Sequence, residues 1–473
     1  MADRKCRLCL AFWLLIGAGE ASSIRAAIDG PASEARLEES RPPSDQVDID
    51  TLFEGEVRLD RERLVQAVLD RSRTLLSARS ALEAALSRPA QARSLADPMV
   101  SYTFAPLSIS SDAVRYGHVV RFSQRLPYPG KRRLRGAIAE AEAAAAAHDV
   151  ETLRLHLATV ASLLFDDYYV VERAIEINEE HIELLEMFQR IATARYAAGE
   201  VSQQAPLQAE LEAAHLIHRR VVLDTERALL RTRLNALLHR RPEAPIPPPP
   251  EELVVDERVD VVPRGDRIEQ ALVVRSEVRA AKSDLEARRL EIELSRLDSR
   301  PDFEVMGSFN SMWNESDHRL MIGAGVSLPL YRNRWRAAEA EAQAAATAIE
   351  SEIAGIVDQV RAEVTSADLL VEEAQHVVSL YLARLLPVAS DQVSAALAGF
   401  RTGRSSFLAL IEAERNQRAV RLEYEQARAD VYRRRAELNQ ALGRIPGSGS
   451  SGVDSVQVDR IPVENPNVGG NQP

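Results

Sequence analysis

The side chains that most often bind metals or act as nucleophiles are sparse in this 473-residue sequence. Cys6 and Cys9, its two cysteines, both lie in the first ten residues, so neither a disulfide framework nor a cysteine-based zinc site is available to the body of the chain. His215 and His218 stand three apart on a helical pattern, a spacing that can hold a metal ion. With no third ligand nearby in sequence, they are expected to be surface histidines, and no metal site is expected. The acidic pair Asp166-Asp167 and the basic run Arg433 to Arg435 read as polar helix faces. The sequence contains no nucleophile elbow, phosphate loop or histidine–carboxylate pattern of the kind catalysis uses. Neither enzymatic activity nor a cofactor is therefore expected.

Composition points to the elements instead. Aromatic residues are 5% and charged residues 27%, and Ala, Leu, Arg and Glu dominate. This is the profile of long or coiled helices, although chain length alone would suggest about three compact domains. Lys plus Arg number 59 against 71 Asp plus Glu, and the net charge of −12 gives no electrostatic reason to expect nucleic acid as a partner.

The opening MADRKCRLC is basic, Leu10 to Gly19 is apolar, and small residues follow at Ala21, Ser22, Ser23, Ala26 and Ala27. This predicts a secretory signal peptide over 1–26. Its removal would take both cysteines, and because they precede the apolar run there is no site for an acylated N-terminal cysteine. No other run approaches the roughly 20 apolar residues that a spanning helix needs. Residues 27–60 read as a flexible acidic segment and 446–473 as a disordered Gly, Ser, Pro and Asn-rich tail. Between the halves, RPEAPIPPPPE opens a Pro-rich linker over 242–263 that can form neither helix nor sheet.

Residues 61–241 and 264–445 repeat each other. Arg71-Ser72 matches Arg275-Ser276, Tyr196 matches Phe400, Gly199 matches Gly403, Glu210 matches Glu414, and Leu234-Asn235 matches Leu438-Asn439, each 204 residues apart. Pro98 and Pro301, and Pro127 and Pro329, match at slightly smaller offsets. Each copy opens with a helical segment (Arg61 to about Ser94; Asp266 to about Ser299) and then alternates with period two. Val100, Tyr102 and Phe104 interleave with Ser101 and Thr103, and Val120, Phe122 and Leu126 with Arg121, Ser123 and Arg125. In the second copy Phe303, Val305, Gly307 and Phe309, then Ile322, Ala324, Val326 and Leu328, do the same. Both pairs predict hairpins, with strands of about ten to twelve residues such as Met99 to Ile109 and Tyr116 to Leu126.

A helical period then returns and holds over many heptads, with Asn178 as the polar step in the first copy and Glu363 in the second. That is coiled-coil packing, and a helix from about Arg132 to Tyr196 would be on the order of 100 Å long. Each long helix ends at a glycine turn, AAGEVS (197–202) or RTGRSS (401–406). There the glycine can take φ > 0, and Ser202 or Ser405 can cap the returning helix.

Strands of that length cross a bilayer when tilted, with apolar residues outward and polar ones inward. Tyr102, Phe104, Val120, Phe122, Phe303, Phe309 and Val326 are the expected lipid-facing set. Four strands cannot close a barrel, and open edges are not tolerated in lipid. Several copies must then share one barrel. The alternative is a soluble periplasmic coiled-coil scaffold or adaptor protein whose small sheet packs on its helices.

These residues resemble the TolC-like outer-membrane efflux family over about residues 50 to 445. The carriers are VRFSQRLPYPGKRRLR (120–135), GAGVSLPLYRNRW (323–335), the turns ARYAAGEV (194–201) and AGFRTGRS (398–405), IEAERNQ (411–417) and LNQALG (438–443). The resemblance implies a mainly α fold with four transmembrane β-strands per chain, and a homotrimer sharing a twelve-stranded barrel in the lipid of the cell outer membrane. A long α-helical coiled-coil barrel would extend into the periplasm and dock a periplasmic adaptor (membrane fusion) protein and, through it, an inner-membrane pump. The PGKR stretch (129–132) resembles the heavy-metal cation branch. Family channels close near their glycine turns with a ring of carboxylates. Glu412 falls on one such position, and Ala409 replaces the other. Arg404 and Ser405 would hold the gate shut, and Gly199 and Gly403 would mark the adaptor-docking turns.

Overall fold

A computed structural model describes residues 52–106, 108, 117–254, 263–313 and 315–446. The expected signal peptide, most of the flexible N-terminal segment and nearly all of the C-terminal tail lie outside them. The chain divides into two units at Glu54, and the second carries all the helices and strands that follow.

Each predicted opening helix is two helices. In the first repeat α1 (Arg61–Arg71) and α2 (Arg73–Arg93) are separated by Ser72, which is extended and whose side chain accepts a hydrogen bond from the Leu75 N–H at 3.2 Å. The serine ends one helix and caps the next. In the second repeat the break between α5 (Arg264–Val274) and α6 (Ser276–Asp298) falls at Arg275. The two breaks are one residue closer together than the Arg-Ser sequence match suggests.

Strands β1 (Met99–Ala105), β2 (Gly117–Leu126), β3 (Phe303–Asn310) and β4 (Leu320–Val326) form one antiparallel sheet in the order β1-β2-β3-β4. The β2–β3 pairing joins the two repeats, and β1 and β4 are the edges. With 7, 10, 8 and 7 residues, the strands are shorter than expected. Pro106 follows β1 directly and Pro329 lies three residues beyond β4, and a residue without an N–H cannot donate to a ladder.

From the sheet, α3 (Lys131–Ala197) runs 67 residues without interruption, about 100 Å at 1.5 Å per residue. It returns as α4 (Gln204–Leu237). The second repeat departs from this. Its long helix α7 (Arg332–Leu380) passes into a π turn at Tyr381–Leu385 before α8 (Leu386–Arg401), and α9 (Phe407–Ala441) returns. Pro387 sits in the first turn of α8. It has no N–H to donate, and its ring crowds the carbonyl four residues back, which widens the preceding turn.

The polar steps in the heptads are contacts between elements. Asn178 Nδ2 donates to the Leu216 carbonyl of α4 at 3.1 Å, and Glu363 accepts from Arg275 at the α5–α6 break. Asp166 is not on a polar face: it is fully buried. Arg61, the first residue of α1, donates to Asp166 Oδ2 at 2.9 Å and also to Oδ1, with its guanidinium 4.8 Å and 4.5 Å from the ring centroids of Phe165 and Tyr432. Burial nevertheless pushes the Asp166 carboxyl up to about 6, against the pull of Arg61. The second repeat has the same latch, with Arg264, first in α5, 2.5 Å from buried Asp368. Asp167 is bridged to Arg433 of α9 at 2.6 Å.

Residues 244–254 of the Pro-rich segment form neither helix nor strand, and they are packed rather than free. Leu59 N–H donates to the Pro248 carbonyl at 2.8 Å, Asn235 Nδ2 donates to the carbonyls of Pro242 and Ala244 at 3.0 and 2.8 Å, and Ile246 and Leu253 are buried.

Candidate functional site

Two regions hold the residues singled out in the sequence: the helix reversals and the sheet. At the first reversal Gly199 has φ +75°, its N–H donates to the Tyr196 carbonyl at 2.9 Å, and Glu200 N–H donates to the Arg195 carbonyl at 2.9 Å. At the second, Gly403 has φ +74°, with its N–H donating to Phe400 O at 3.1 Å and Arg404 N–H to Gly399 O at 2.8 Å. Both are the paired-bond helix ending that a residue in the left-handed region allows. A Cβ at Gly199 would meet open space, so backbone conformation rather than crowding requires the glycine.

Arg404 is exposed beside the second turn. Ser405 does not cap α9. Ser406 does, accepting from the Ala409 N–H at 3.2 Å. Ser405 folds back instead, its Oγ donating to the Ala396 carbonyl of α8 at 3.1 Å. Gly399 makes room for it, since a Cβ there would lie 2.3 Å from that oxygen. Glu412 is exposed on α9, between buried Ile411 and Ala413.

Three residues that the sequence did not single out bind the reversals together. Arg195 donates to the Phe400 carbonyl, lies over the Phe400 ring and is 2.8 Å from Glu200 Oε2. His181 Nδ1 is 2.7 Å from Glu414 Oε1, and both residues are buried. Glu212, also buried, accepts from Arg415 Nε at 2.9 Å. A signal for His181 existed, because it falls on the apolar stripe of α3 between Asn178 and Leu185. Around these links, Leu185, Phe188, Leu216, Val393, Phe400 and Leu410 form one apolar cluster from all four helices. His215 and His218 are both exposed on α4.

In the sheet, the register aligns Tyr102, Val120, Phe309 and Leu320 in one row, and Val100, Phe122, Gly307 and Ile322 in the next. Leu126, Phe303 and Val326 form a further row, and Phe104 pairs with His118. All seven residues of the expected lipid-facing set therefore share one face, and each is exposed in the single chain. No Asp, Glu, Lys or Arg of the four strands lies on that face. His118 does, with Nδ1 2.5 Å from Tyr102 Oη. The opposite face carries Ser101, Thr103, Arg121, Ser123, Arg125 and Glu304.

Where sheet meets helix, Lys131 of the PGKR stretch is buried. Its ammonium is 2.8 Å from Asp302 Oδ1, 3.4 Å from Asp298 Oδ1 and 3.3 Å from the Arg300 carbonyl. Tyr128 N–H also donates to Asp302 Oδ1 at 2.8 Å. Burial pushes the Asp302 carboxyl up, but Lys131 and the Tyr128 N–H prevail and hold it below the usual carboxylate range. The stretch locks the first hairpin to the start of the second.

Residues 267–444, the second repeat, match the family described as outer membrane efflux protein. No curated protein matches the chain. The fold is that of solved outer-membrane channels. The outer membrane protein VceC from Vibrio cholerae superposes with a TM-score of 0.69 at 18% identity, covering 81% of this chain and 96% of that one. The CmeC outer membrane channel of Campylobacter jejuni gives 0.68 at 15%, covering 81% and 85%. The open-state MtrE outer membrane channel of Neisseria gonorrhoeae gives 0.65 at 18%, covering 81% and 89%.

Proposed function

We propose that this chain, whose second repeat carries the outer membrane efflux match and whose fold is that of outer-membrane channels, is the passive exit duct of a tripartite efflux system. It works as a homotrimer in the outer membrane. A periplasmic adaptor docks at the glycine turns, and an inner-membrane pump supplies the energy. The observation that carries this reading is the sheet: one face carries no Asp, Glu, Lys or Arg and is apolar but for His118 and Gln124, and both edges are open. Such a sheet is tolerated in lipid only when its edges are paired.

The internal repeat supplies the pairing. Strands β4 and β1 are the counterparts of β2 and β3, so β4 of one copy pairs with β1 of the next as β2 pairs with β3. Carrying the Leu126–Phe303 register through the proline offsets sets Leu328 opposite Val100, Val326 opposite Tyr102 and Ala324 opposite Phe104. All six belong to the apolar face, whereas a one-residue slip would turn one strand over. Three copies close twelve strands, and the long helices continue as a periplasmic tunnel with Glu412, Arg404 and Ser405 at its gated end.

Membrane fractionation tests the reading. The expected result is an outer-membrane oligomer that needs detergent for extraction. A detergent-free monomer in the periplasmic fraction would overturn it in favour of a soluble coiled-coil scaffold.

A further inference from the structure

Building on the channel reading, we propose that Arg121 makes the strand section of the pore attract anions, and that the duct is suited to carboxylate- or phosphate-bearing solutes rather than to bare metal cations. Arg121 stands at the middle of β2, on the face opposite the apolar one. Its neighbours across the strands are Ser101 on β1 and Ser308 on β3, with Met321 beyond on β4. The guanidinium is exposed and makes no ion pair or hydrogen bond among the described residues. The other charged residues on this face of the strands are Arg125 and Glu304, which lie directly opposite each other on β2 and β3 and offset one another. Each chain therefore leaves one positive charge uncompensated.

An arginine at mid-membrane costs about 2 to 4 kcal/mol on a lipid face, so this face is the one that holds water. Three copies then set three guanidinium groups at one level of the pore, and rings of arginine favour anions. At about 10 Å from the axis, three such charges raise the local concentration of a monovalent anion about fourfold at 0.01 M salt and about twofold at 0.1 M. The PGKR stretch does not argue for metal cations, because its lysine is consumed in the buried junction with Asp298 and Asp302.

The test is the chloride-to-potassium permeability ratio of the purified full chain in planar bilayers, read from reversal potentials in a KCl gradient. Because the ring depletes potassium by the same factor by which it enriches chloride, Arg121→Ser should lower the ratio about sixteenfold near 0.01 M and about fourfold near 0.1 M relative to wild type, while Arg121→Lys should keep it. The gated end is the same in every variant, so the shift isolates this position. Should Arg121→Ser fail to assemble, Arg121→Cys labelled after insertion supplies the reading. A cationic thiosulfonate should restore the wild-type ratio and an anionic one should invert the preference, with labelled wild type as the control. Conducting channels whose ratio is unmoved by these changes overturn the inference and leave the duct intact. Wild-type protein that never conducts overturns both.

Discussion

Arg195 and Phe400 join the two chain reversals: the guanidinium carbon of Arg195 lies 4.8 Å from the centroid of the Phe400 ring, and an N–H of the same group donates to the Phe400 carbonyl. Arg195 lies in the last turn of α3 and Phe400 in the last turn of α8, so a single side chain ties the repeats at their far end. Arg195→Ala should remove an interaction worth on the order of 1 to 3 kcal/mol and loosen both turns. The expected readout is faster proteolysis at 199–204 and 402–406, with higher single-channel conductance. Unchanged cleavage at both turns would show that the link holds nothing shut.

Along the sheet, Val120→Arg or Val326→Arg should impair trimer yield in membranes by roughly 2 to 4 kcal/mol per site near the midplane. Ser123→Arg, on the opposite face, should be much milder. The derived register adds a sharper check: cysteines at Val326 and Tyr102 should crosslink between copies, because within one chain these residues occupy opposite edges of the sheet. Equal damage on both faces, or crosslinks confined to single chains, would contradict the shared barrel.

The glycine turns should tolerate no β-branched residue, since both glycines hold φ near +75°. Gly199→Val and Gly403→Val are expected to leave trimers in the membrane while weakening crosslinking to the adaptor. Normal crosslinking in both variants would move the docking site elsewhere.

Glu412 lies nine residues beyond Gly403, in the second turn of α9. Glu412→Gln should shift selectivity toward anions and reduce block by multivalent cations in bilayer recordings. The effect should shrink as salt rises, because exposed carboxylates are screened over about 10 Å at 0.1 M. Identical selectivity at low salt would place Glu412 outside the tunnel.

His239 gives a pH prediction. It holds φ +54°, where the second repeat has Gly443 at +73°, and its Nε2 accepts from the Arg73 N–H at 3.1 Å, capping α2. Burial, and then the nearby Arg73, hold the imidazole below its ordinary value of 6.5. Between the folded and unfolded values the folded state binds fewer protons, so stability rises with pH there and is lost as pH falls below about 6.5. Thermal melts of wild type should show this loss, and His239→Gln should flatten it. A profile unaltered by the substitution would remove His239 from the balance.

Much of this architecture was legible because it rests on local periodicity and on a duplication visible in one chain. The two hairpins, the long helices and the reversals at Gly199 and Gly403 follow from period two, period 3.5 and φ > 0. The misread positions share a cause. Asp166 looked like surface because adjacent carboxylates usually are, but Arg61, 105 residues away, makes its burial tolerable. Ser405 follows the glycine at the spacing of a cap, but its Oγ is engaged by the Ala396 carbonyl, and Ser406 caps α9. The break at Arg275 was hidden by an Arg-Ser match one residue out of register.

By itself, the sequence determined which residues could share a face, where the chain must reverse, and that four strands are too few to close a barrel. Those are constraints of backbone geometry and side-chain period, set within a few residues of each position. Only the tertiary structure decided which charges are compensated. Lys131 is buried against Asp298 and Asp302, Glu414 against His181 and Glu212 against Arg415, while Arg121 and Glu412 remain exposed. The reason is that a charge is offset by what lies within a few ångströms in space. In a chain folded back along helices about 100 Å long, those neighbours lie as far as 266 residues away in sequence, as with Asp167 and Arg433.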